Sequence, residues 1–203
     1  MAIRRPDPDR LEPKLEAVLC RLCGRLGVLS LTQAVKLPYL VDVVASHVLG
    51  GPITGGTHQT WTLGVVTREV WFYAQRGGDI NDPFVFKNSN QYEGGKRIYV
   101  DGEPDVELTP QEADLVDLVA DIWGGHSAEN LGRLTKALNT HLKGDVWGRR
   151  NEPAALGEDA FARLSSGWQA FNRRLPSLDF SDRQHWGEPI EDPFEYLERE
   201  LGA

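Results

Sequence analysis

Apolar residues recur along this chain mostly at helical spacing. Leu15, Val18, Leu19, Leu22 and Leu26 form one stripe, which predicts a helix over residues 11–27 with Pro13 in its first turn and Gly27 at its stop. A second helix is predicted from Thr32, read as its N-cap, to about Leu49, carried by Val35, Leu37, Leu40, Val41, Val44 and Val48. Pro38 lies within it, so the helix either kinks there or begins later. Residues 57–63 read as a short strand and residues 67–75 as a helix through Val66, Val70 and Tyr73. After a loop rich in Gly, Asn, Asp and Pro begins at Gly77, PFVFK and KRIYVDG are expected to pair as a hairpin with a long connection.

The sharpest local signal is Thr109-Pro110-Gln111-Glu112. It supplies an N-cap, a proline at N1 and a glutamate at N3, and the apolar face Leu115, Leu118, Val119, Ile122 and Trp123 follows. Gly124 and Gly125 end that helix, and Ser127 caps the next, with Leu131, Leu134 and Leu138 inward. Phe161, Leu164, Trp168, Phe171 and Leu175 mark a further helix, expected to pack on the core, and Phe194, Leu197 and Leu201 a short terminal one that docks more loosely. The resulting expectation is a mainly α (α+β) fold. It consists of an N-terminal arm (1–13), a compact helical domain with a small β-hairpin or short sheet (14–150), and a C-terminal helical extension (151–203) on or beside the core.

Composition narrows the function classes. The 203 residues are enough for one domain with a substantial core. A formal net charge of −8 opposes phosphate backbones, and Lys and Arg form no patch, so nucleic acid is not an expected partner. No run approaches the ~20 apolar residues that span a bilayer, so no membrane partner is expected. The N-terminus lacks the apolar core of a secretory signal, so a cytoplasmic location is expected.

Complete chemical motifs are not found. GPITGGT, residues 51–57, has glycine where a P-loop needs lysine, so it reads as a helix end and a turn rather than a phosphate cradle. Cys20 and Cys23 are half of a zinc site, and none of the five histidines pairs at metal-ligand spacing; at least one thiol is expected in the core. No cofactor or metal is called for. Asp114 and Asp117 read as part of a solvated face. A hydrolase centred on His58, with Thr57 or Asp42 as its partner, would need those side chains to converge in a pocket. The six tryptophans carry more information, because Trp61 and Trp147 fall in or beside loops, where tryptophan often serves binding.

Three ordered blocks resemble one known family. KLPYLVD (36–42), GGPITGGTHQTWTLGVVTREV (50–70) and LTPQEADLVDLVADIWGGHSAENLGRLTKALNTHLKGDVW (108–147) are similar, in order and spacing, to the Panacea domain of the SocA-like antitoxins. The likeness spans about residues 14–150. Where that family has Gly-Pro this chain has Gly64-Val65, and where it has Thr-His this chain has Thr135-Lys136. The resemblance implies a mostly helical, non-enzymatic protein that neutralises a cognate toxin by direct binding, in a type II-like toxin–antitoxin system. It also implies a possible cytoplasmic protease as second partner. Homodimerisation is a further option, and a protease adaptor or mobile-element interaction protein without a toxin is the alternative. Candidate partner contacts are Trp61, His58, Trp147 and Lys136.

Overall fold

The computed structural model of the chain describes residues 11–61, 63–76, 84–88, 96–100, 102–139, 152–154, 156 and 160–164. In chain order the elements are α1 (Pro13–Leu26), β1 (Leu29–Ser30), α2 (Leu31–Val48), β2 (His58–Trp61), β3 (Gly64–Thr67), α3 (Arg68–Arg76), β4 (Phe84–Asn88), β5 (Lys96–Val100), α4 (Pro110–Trp123), α5 (Ala128–Ala137) and β6 (Glu152–Pro153). The fold is mainly α with a small β component. Two three-stranded antiparallel sheets, ordered β1-β5-β4 and β3-β2-β6, supply that component. No helix among the described residues is long and apolar enough to cross a membrane.

Helix α2 is the central element. Its residues 34–45 are all buried, and it packs against α1, α3, α4, α5 and β3. Its cap is Ser30, two residues before the expected one. Ser30 and Gln33 bond reciprocally: the Ser30 hydroxyl accepts from the Gln33 backbone N–H at 3.2 Å, and Gln33 Oε1 accepts from the Ser30 N–H at 2.8 Å. Thr32 has Val35 three positions on, which cannot answer in this way. The helix runs through Pro38.

Helices α1 and α4 run side by side in the same direction. Lys14 pairs with Glu112, Arg21 with Asp117 and Arg25 with Asp121, so the partners advance together along both helices. Both arginine pairs are two-pronged, with N···O distances of 2.6–2.8 Å. Asp117 is therefore engaged by Arg21 rather than merely solvated. The Thr109–Glu112 capping box forms as expected, and Glu112 serves both the cap and Lys14. Between the helices Leu15, Leu19, Leu22, Leu115, Val119 and Trp123 are each 0% exposed, forming the centre of the core.

The β4–β5 hairpin forms as expected, from Phe84↔Val100 to Asn88↔Lys96. The strand expected over residues 57–63 is half of a second hairpin, because Gly64–Thr67 turns back to pair His58↔Thr67 and Trp61↔Gly64. Gly64 therefore starts the return strand, at φ +99°. All four β3 residues are buried. Strand β3 packs against both α2 and α5, so the alternation that marks a half-exposed strand is missing. Ala160 and Leu164, in a helical segment at 160–164, join the main core, and Phe161 stacks on His47 with ring centroids 3.9 Å apart. Trp168, Phe171, Leu175, the terminal helix and residues 1–10 lie outside the described residues.

Candidate functional site

Three polar side chains project from the buried stretch of α2 at three-residue intervals: Lys36, Tyr39 and Asp42. Three-residue steps keep them on one side of the helix. Burying such groups is costly unless their hydrogen-bonding capacity is met, so their partners determine what the site does.

Asp42, 1% exposed, binds the segment that leaves α2. Its Oδ1 accepts from the backbone N–H groups of Ile53 (2.8 Å) and Thr54 (2.9 Å), and its Oδ2 accepts from the Thr54 hydroxyl (2.5 Å). The same Oδ2 lies 2.7 Å from His58 Nε2. On the far side of the ring, Nδ1 is 3.0 Å from the hydroxyl of Thr67, the cross-strand partner of His58. An ionised carboxylate only accepts, so Nε2 carries a hydrogen, and in the neutral ring Nδ1 is left to accept from Thr67. Tyr39 meets the His58 ring edge-on, at 5.4 Å between centroids, and its hydroxyl accepts from Asn139 Nδ2 at 3.2 Å.

Lys36 extends to the opposite end of the hairpin. Its Nζ donates to the carbonyls of Leu63 (2.9 Å) and Val65 (2.8 Å). Thr135 of α5 completes the junction: its hydroxyl accepts from the Val65 N–H and donates to the Leu131 carbonyl. A side chain at Gly64 would overlap Thr135 Oγ1 and come within 3.0 Å of Lys36 Nζ, so only glycine fits. Burial pushes Lys36 down to about 7, with the charge of Lys136 adding to the effect.

Thr67, His58 and Asp42 thus form a hydroxyl–imidazole–carboxylate relay with the spacing of a nucleophile, base and orienting group. Their exposures are 0%, 5% and 1%, so no substrate can reach the hydroxyl in this conformation. The relay closes the hairpin onto α2. Thr57, the other expected partner of His58, is exposed, and its backbone N–H bonds the Glu69 carboxylate at 2.9 Å.

The candidate contact residues separate by environment. His58 is an internal brace, so it is not available to a partner. Trp61 is half-buried, edge-on to Trp71 at 5.4 Å. Lys136 is exposed in the last turn of α5. Trp147 lies outside the described residues. Sequence reading missed Leu63, 75% exposed at the hairpin tip, and Phe72, 40% exposed under the Arg68 guanidinium. It also missed Thr54, Thr67 and Thr135 as partners; the available signal was two charged residues within the largely apolar stretch 34–45, which must find polar neighbours. The thiols are quiet: burial, aided by Glu16, raises Cys20 to about 12, and burial, aided by Cys20, does the same to Cys23. Among the described residues no group of three or more His, Cys, Asp or Glu could hold a metal ion.

No family model, no curated protein and no solved structure matches the chain.

Proposed function

We propose that this chain works by binding another protein, as a cytoplasmic antitoxin that neutralises a cognate toxin. The observation that carries this reading is where the reactive and the sticky side chains lie. The relay is fully enclosed, whereas Leu63, Phe72 and the edge of the Trp61–Trp71 pair reach the surface on one hairpin and the helix that follows it. Large apolar side chains held outward on a braced support are what a protein interface uses. The resemblance to the antitoxin family adds support: its first block, 36–42, contains Lys36, Tyr39 and Asp42, which contact this hairpin through Leu63, Val65 and His58. An overall charge of −8 favours a basic toxin.

The test is co-expression with the product of the adjacent gene. The reading requires rescue of growth and a complex that survives size-exclusion chromatography. If the neighbour is not toxic but a complex with a protease forms, the chain is an adaptor. A second reading, a threonine hydrolase, is favoured by the Thr67–His58–Asp42 spacing alone. It requires Thr67 to be acylated by an activated ester and the labelling to vanish in Thr67→Val; an unlabelled Thr67 removes it.

A further inference from the structure

We propose that Lys36 is a proton-operated latch on the β2–β3 hairpin: its amine, buried against two carbonyl oxygens with no carboxylate bonded to it among the described residues, holds the tip shut, and taking up a proton drives the tip open.

The geometry suits a neutral amine. Lys36 is 3% exposed, and among the described residues its acceptors are the Leu63 and Val65 carbonyls. A neutral amine has two hydrogens for two acceptors; an ammonium has a third, and a full charge that the interior does not solvate. Among the described residues, the elements around the amine supply no counter-charge to it. Strand β3 presents backbone carbonyls, and α5 presents Thr135 and the like-charged Lys136. The buried face of α4 is apolar from Leu115 to Trp123. Asp42 on α2 is committed to Ile53, Thr54 and His58, and Glu69 on α3 to Thr57. His58 lies at the opposite end of the same hairpin, bonded to Asp42 and Thr67.

The direction follows from proton counting. The side chain has its ordinary value of 10.5 when free in water and about 7 when buried. Between those values the open form holds one more proton than the closed form. Closure is therefore favoured as pH rises through this window and weakened as pH falls towards 7, and below 7 both forms are protonated and the dependence ends. The opening constant changes by about tenfold per pH unit inside the window. The part that moves carries Leu63, so the latch changes the surface at the hairpin tip whether or not a partner docks there.

Backbone hydrogen exchange of the full-length protein, corrected for intrinsic rates, tests this. Protection of the Val65 and Val66 amides is expected to rise about tenfold per unit from pH 7 to 9 in the native protein and to be flat in Lys36→Met. A flat native profile, or the same slope in Lys36→Met, overturns the latch. If Lys36→Met does not fold, the titration of lysine Cε and Nζ signals in the native protein decides. A Lys36 midpoint below about 9 supports the latch, and a midpoint at or above that value overturns it.

Discussion

Asp42 offers the most informative perturbation, because one carboxylate satisfies several donors at once. It accepts from the Ile53 and Thr54 N–H groups, the Thr54 hydroxyl and the His58 ring. Asp42→Ala leaves those donors facing a void. An unsatisfied buried donor costs about 1–3 kcal/mol, and relief of the carboxylate's own desolvation returns part of the sum. The net loss should resemble that of breaking a buried pair, about 3–5 kcal/mol. Asp42→Asn should behave differently. Its Oδ1 can still accept from Ile53 and Thr54, while its amide requires Thr54 Oγ1 and His58 Nε2 to accept instead. The imidazole can meet that demand by moving its hydrogen to Nδ1, facing Thr67. The expected loss is about 1–2 kcal/mol. Urea unfolding of the two variants should therefore separate them by about 2 kcal/mol at an unchanged m-value. A double-mutant cycle with His58→Ala should show strong coupling to Asp42→Ala. The bracing role is refuted if Asp42→Ala lies within about 1 kcal/mol of the native protein, or if Asn is as damaging as Ala.

Gly64→Ala should cost about 2–4 kcal/mol in the same assay, because φ is +99° and the new Cβ meets Thr135, Gly132 and Lys36; unchanged stability would mean the hairpin can back away from α5. Neither thiol should react with a disulfide reagent at pH 8 until urea is added, since both are held near 12; fast modification of the folded protein would contradict that burial. Leu63→Asp should abolish capture of the partner, read by pull-down, while stability stays within about 0.5 kcal/mol, because the side chain is 75% exposed; unchanged capture would move the interface elsewhere.

Much of the helical frame could be read from the chain alone, because caps and apolar stripes act within a few residues. Thr109-Pro110-Gln111-Glu112 and Ser127 specify their helix starts locally, as Gly27 specifies a stop, and each forms as read. The β4–β5 hairpin was legible for the same reason. Tertiary packing decided the rest. Strand β3 has no polar face to alternate, because helices cover it, and the two-residue strands β1 and β6 exist only through distant partners: Leu29↔Ile98 and Ser30↔Arg97 for β1, Gln59↔Pro153 and Thr60↔Glu152 for β6. The candidate site is non-local in the same sense. The chain shows that Lys36 and Asp42 interrupt an apolar helix and so must find polar company. That Asp42 meets Thr54 and His58, that His58 then reaches Thr67, and that Lys36 is left with carbonyls depends on how the hairpin folds back over α2. Such partners are chosen by shape and desolvation across the core, and a one-dimensional pattern does not record them.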